Sequence, residues 1–175
     1  RRSFPRADGN LYDGGAGQEI DEGLERDEGK NGEAGADLAR IAAACRIVDD
    51  TARWRKLDRY VARDAFLDFA ALEAMTGHWD GYCNARNNYR VYLDPAVGDR
   101  ARFLPHGMDQ IFTDSHAGII EPPNGIVAAA ILENPEWRRR YRERTRKLLP
   151  LFSAHDRLLP IVATTRSEEH TSELQ

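Results

Sequence analysis

Lysine is scarce in this chain: its 175 residues hold only Lys30, Lys56 and Lys147, although 25 residues are Lys or Arg. Any chemistry that needs a strand-borne lysine would have to find it among those three. No apolar run approaches the roughly 20 residues of a membrane-crossing helix, which excludes that kind of span from the sequence at hand. There is no basic surplus either; a net charge of -4 and a pI near 5.8 argue against a nucleic-acid partner. The two cysteines, Cys45 and Cys83, match no zinc spacing. They are expected as buried free thiols, one disulfide being the alternative. No start methionine, leader, internal repeat or low-complexity tract is visible.

What is present suits one domain with a real core, since 41% of the residues are hydrophobic. The opening residues read like the interior of a domain, so the chain is expected to continue upstream. The last ten residues, 166–175 (RSEEHTSELQ), read as the translation of a sequencing adapter. The natural domain is accordingly taken as 1–165. Charge is segregated: 19–33 carries seven acidic residues against two basic ones, and 138–147 is dominated by arginine. Both read as solvated faces or loops.

Along the chain, 8–35 is rich in Gly, Asp and Glu and predicts a long loop. Asp37 then predicts the cap of a helix with the stripe Leu38, Ile41, Ala42, Cys45 and Val48. A second helical stretch follows over 51–57. Asp64 predicts the cap of AFLDFAALEAM, apolar on nearly all sides and stopped at Thr76-Gly77. NNYRVYLD and RARFLP, separated by DPAVGD, predict a β-hairpin. Helices resume over 126–132 and from Pro135, where Trp137, Tyr141, Leu148 and Phe152 form a core stripe with the arginines outward.

The hairpin matters for chemistry. A turn centred near Ala96 and Val97 brings Asn87 and Asn88 to the same open end as Met108 and Asp109, and Asp80 is delivered there from the end of the apolar helix. An aspartate after a core helix, an asparagine at a hairpin start and an aspartate at its end is the order of parts used for phosphoryl transfer. Oxygen ligands of this kind suit a hard cation. Spacing alone favours the plainer reading, with Asp80 as a turn cap and Asp109 as a loop stabiliser.

The residues HWDGYCNARNNYRVYLDP and RARFLPHGMDQIF, with GNLYDG and FLDFAALEAM upstream, closely resemble the CotH family of spore-coat-type atypical protein kinases. The resemblance runs from about residue 9 to 152. It implies an α+β fold: a mostly helical, protein-kinase-like C-lobe whose short β-hairpin carries the metal-site residues, with the N-lobe absent from this chain. It implies Asp80 as the catalytic aspartate and Asn88 and Asp109 as ligands of Mg²⁺ or Mn²⁺, with Asn87 and Asn84 as alternatives to Asn88. His78, Asn87 and Gln110 take supporting roles. Where many members have Trp-Asp this chain has His106-Gly107, which removes a second carboxylate near Asp109.

The implied activity is transfer of the ATP γ-phosphoryl to Ser/Thr hydroxyls of a protein substrate. None of the three lysines falls on an expected strand, so no nucleotide-binding residue is identified and the chain alone is expected to be inactive. The family implies an extracellular, cell-surface or coat setting. Two other readings use the same residues: a coat or surface interaction module that keeps the fold without the chemistry, and a glycoside hydrolase with Asp80 and Asp109 as its carboxylate pair.

Overall fold

A computed structural model describes residues 8–29, 32–112 and 123–153. The adapter-like tail, Lys30 and residues 113–122 lie outside the described residues. The fold is α+β. Two strands, β1 (Leu11–Gly14) and β2 (Glu25–Glu28), precede three helices, α1 (Ala36–Cys45), α2 (Asp50–Tyr60) and α3 (Arg63–Thr76). A one-turn helix α4 (Tyr82–Ala85) leads into β3 (Tyr89–Asp94) and β4 (Arg100–Pro105), and α5 (Ile126–Glu133) and α6 (Pro135–Ser153) follow.

The hairpin forms where its sequence places it, with Tyr89 opposite Pro105 and Asp94 opposite Arg100. It is half of a larger sheet. The order is β2-β1-β3-β4, with every pairing antiparallel. The expectation of a long loop over 8–35 is therefore corrected: LYDG and ERDE add two strands. β1 is held in the sheet because Tyr12 lies opposite Val91, which lies opposite Phe103, and all three are buried. Residues in register across neighbouring strands share a face, and this face meets α3. β2 is a short charged edge strand, the composition that discourages further strand pairing.

Two cap expectations are also corrected. The N-cap of α1 is Gly35, at φ 79°. Asp37 sits in the first turn, where its carboxylate accepts from Tyr12 Oη at 2.8 Å, Asn10 Nδ2 at 3.0 Å and the Leu38 N–H. Three donors, two from outside the helix, draw it away from a capping geometry. Asp64 likewise lies inside α3, whose N-cap is Ala62, and pairs with Arg144 of α6 at 3.1 Å. Val48 is outside the core at 93% exposure, because α1 ends at Cys45 before the stripe reaches it.

The remaining helices behave as their patterns imply. Leu38, Ile41, Ala42 and Cys45 are buried on α1, and Phe66, Leu67, Phe69, Ala70 and Ala71 on α3. On α6, Tyr141 is buried while Trp137 and Leu148 pack against the core, but Phe152, expected on the same stripe, lies outside it, against exposed Phe112. Cys45 and Cys83 are both buried free thiols. Among the described residues, no helix is long and apolar enough to cross a membrane.

An aromatic cluster underlies the hairpin mouth. Phe103 meets Phe66 edge-on at 5.0 Å and Tyr82 at 4.8 Å, and Tyr82 meets Tyr89 at 4.6 Å. Such pairs contribute about 0.5–1.5 kcal/mol beyond burial. The two tyrosines flank Asp80 and Asn88 in sequence, so the cluster ties α3, the loop after it and the hairpin into one base.

Candidate active site

The site is assembled at the C-terminal end of α3. Gly77 adopts the left-handed conformation at φ 62° and ends the helix, with its N–H donating to Ala74 O and the His78 N–H to Glu73 O at 2.9 Å. A side chain at that φ is strained, which is why glycine serves as the stop. The chain then reverses through His78, Trp79 and Asp80 into α4.

Asp80 is largely buried, its side chain 17% exposed. Asn88 donates from Nδ2 to Asp80 Oδ2 at 2.6 Å, and Asn87 lies at 3.5 Å from the same oxygen. The structure thus brings Asp80 and Asn88 into direct contact and puts Asn87 at the limit of hydrogen bonding. Asn84 is directed elsewhere, donating to the Trp79 carbonyl. Asn88 has φ 50°, in the left-handed region where asparagine is tolerated better than most side chains.

Asp109 is exposed on a 3₁₀ turn, Met108–Gln110, together with exposed Gln110. Its segment is tied at both ends: the His106 N–H donates to Asn88 O at 3.1 Å, and the Phe112 N–H to Thr76 O at 2.8 Å. These two tethers hold the turn that carries Asp109 between the hairpin mouth and the end of α3. Gly107, at φ 58°, passes so close that a Cβ there would lie 2.5 Å from Asn88 Oδ1.

Behind Asp80 is a buried polar pair. His78 is 3% exposed, and its Nε2 lies 3.3 Å from Asp80 Oδ1, off the line of a hydrogen bond. Neither ring nitrogen of His78, nor Asp80 Oδ1, has a well-aligned hydrogen-bond partner among the described residues. Burial holds the imidazole below its ordinary pKa, against the opposing pull of Asp80. Glu73 is 1% exposed, 3.8 Å from His78 Nδ1 through Oε1, and burial pushes its carboxyl up to about 7.

Sequence reasoning missed Glu73. Its signal was a lone carboxylate on the buried side of an otherwise apolar helix. It also missed Asp13, which lies on β1 and pairs through Oδ1 with His106 Nε2 at 3.1 Å and through Oδ2 with Arg90 at 3.2 Å. Position 106, where the resembled pattern departs, therefore carries a histidine matched by a carboxylate from another strand.

The oxygen donors of Asn88 and Asp109 suit a hard cation. Magnesium takes one or two protein oxygens and completes its shell with water and phosphate. No group of three His, Cys, Asp or Glu able to hold a metal occurs among the described residues, and this two-donor mode requires none. The side-chain oxygens of Asn88 and Asp109 are of the kind such an ion takes, and glycine at 107 keeps a further side chain off Asn88 Oδ1.

The family model described as CotH kinase protein matches residues 1–167. Among curated proteins, the chain is similar to Invasin CotH7 of Rhizopus delemar, 27% identical over 149 residues, which is 75% of this chain and 25% of that protein. The chain thus spans about a quarter of this relative's length. No solved structure gives a significant match. With the family model covering nearly the whole chain and the Asp80–Asn88 contact at its hairpin mouth, this protein belongs to the CotH family.

Proposed function

We propose that this chain is the kinase-like, C-lobe part of a phosphotransferase that moves the γ-phosphoryl of ATP to a Ser or Thr hydroxyl of a protein. The observation that carries the reading is the direct contact of Asp80 with Asn88, beside the tethered turn that bears Asp109. Asp80 Oδ2 accepts the proton of the attacking hydroxyl as its oxygen bonds to the γ-phosphorus and the bond to ADP breaks. Asn88, donating to that same oxygen at 2.6 Å, fixes its direction. Asn88 Oδ1 and Asp109 would hold Mg²⁺ or Mn²⁺, which when bound neutralises charge on the transferring phosphate.

Of the described lysines, Lys56 lies on α2 and Lys147 on α6. Neither is on a strand, so no phosphate-binding lysine is identified among the described residues, and the isolated chain is expected to transfer no phosphate. The name of the fungal relative, invasin, supports a surface or coat setting. It also motivates the alternative of a surface module that keeps the fold without the chemistry.

The test is transfer of labelled γ-phosphate from Mg-ATP by the full-length protein to itself or a generic acceptor. Transfer by the wild type, with at least a hundredfold loss in Asp80→Asn and in Asp109→Asn, is expected. A folded wild type that neither transfers phosphate nor binds Mg-ATP would leave the surface-module reading in place.

A further inference from the structure

Three backbone N–H groups of the loop around Asp80 converge on one residue. Glu73 receives His78 N–H on its carbonyl at 2.9 Å, Tyr82 N–H on Oε1 at 2.9 Å and Cys83 N–H on Oε2 at 3.0 Å. The first bond belongs to the helix end and any residue there would make it. The other two need a carboxylate of this length at this position, and they close the loop on the far side of Asp80. Gly81 shows how tightly: a Cβ on it would lie 2.4 Å from Glu73 Oε1 and 2.8 Å from His78 Nδ1.

Burying a carboxylate on an apolar helix is costly unless its oxygens are hydrogen-bonded. Glu73 meets that condition through donors of the loop that carries Asp80, the Tyr82 and Cys83 amides and the Cys83 thiol. Among the described residues, no basic side chain is paired with it except the imidazole of His78, 3.8 Å away. His78 in turn stands between Glu73 and Asp80 Oδ1, at 3.8 and 3.3 Å. The order is carboxylate, imidazole, carboxylate, with the first two buried and the third at the rim.

We propose that Glu73 is the positioning residue of this site: it fixes the Asp80 loop through the Tyr82 and Cys83 amides and sets the His78 ring against Asp80 Oδ1. Oδ2 is thereby left to Asn88 and to a substrate hydroxyl. The inference rests on the phosphotransfer reading for its consequence, but the coupling of the three side chains can be tested apart from it.

Two measurements on the full-length protein separate the two ideas. The first is the ring nitrogen resonances of His78 in protein labelled with ¹⁵N-histidine. Glu73→Gln and Asp80→Asn are each expected to shift them, and to shift them more than those of His106, which pairs with Asp13. The second is steady-state phosphate transfer. Glu73→Gln and His78→Asn are expected to lower kcat by about tenfold to a hundredfold with KM for ATP little changed, since an angstrom-scale misplacement has effects of that size. Should Glu73→Gln fail to fold, His78→Asn carries the kinetic test and Asp80→Asn the spectroscopic one. His78 resonances indifferent to both substitutions, or an unchanged kcat in folded variants, would overturn the proposal. Shifted resonances in a wild type that transfers no phosphate would support the coupling and overturn the phosphotransfer reading instead.

Discussion

The arginine-rich face of α6 and the rim around Asp80 are both polar, and they differ in how their polar groups are met. On α6, Arg139 pairs with Glu136 and Glu143, Arg140 with Glu136, and Arg144 with Asp64 and Asp68. These groups are largely in water, where ion pairs stabilise little. The rim carries fewer charges, yet Asp80 Oδ1 and the His78 nitrogens are buried without well-aligned partners, and a glutamate is sealed beneath them. Buried polar groups left incompletely met are uncommon and call for an explanation. The density of charge and the completeness of its pairing therefore single out different faces of this molecule.

Substitutions can strain this contrast, and the largest effect is expected at Gly81. Its φ of -70° suits any residue, so Gly81→Ala acts by the steric contacts with Glu73 and His78 alone. A loss of about 3 kcal/mol in urea unfolding is expected; a loss under about 1 kcal/mol would mean that the loop is not packed against Glu73. Next is the pH dependence set by Glu73. With its folded pKa at about 7 against an ordinary 4.5, the folded state keeps a proton that the unfolded state has released. This contribution is therefore intact below pH 4.5, lost as pH rises toward 7, and fully absent above it. The slope amounts to up to about 3 kcal/mol across that window. Wild type and Glu73→Gln melted over the same range should diverge accordingly, and parallel curves would show that Glu73 titrates normally.

Tyr82→Phe comes third. The hydroxyl donates to buried Glu19 Oε1 at 2.9 Å and accepts from the Val127 N–H at 3.1 Å. Its removal should lower stability by about 2 kcal/mol, read as a lower urea midpoint at constant slope. The smallest change is expected on α6, where Arg144→Ala should alter stability by less than about 1 kcal/mol, and by less still in high salt. A larger and salt-insensitive loss there would erase the distinction between the two faces.

The hairpin, the Gly77 stop and the helix-borne approach to Asp80 were legible because each has a local signature: alternation with a Pro/Gly turn, a left-handed glycine and an apolar helix. β1 and β2 were not. Four residues each, with ERDE wholly charged, give no alternation to read; β1 exists because the hairpin offers it an edge, and β2 because β1 does in turn. The meeting of Asp80 and Asn88 followed from the helix end together with the hairpin mouth, whereas Glu73 escaped notice because two of its donors are main-chain amides, which leave no mark in a sequence. Asp37 and Asp64 were assigned as caps from residue type, and partners distant along the chain reassigned them.

The double tether of the Asp109 segment has a thermodynamic consequence. Bonds from His106 to Asn88 and from Phe112 to Thr76 clamp its ends to the hairpin mouth and to the end of α3. The conformational entropy of that short arc is lost when the domain folds, at about 1–2 kcal/mol for each residue fixed. A ligand meeting Asp109 then has little left to order, so more of its contact energy is expressed as affinity.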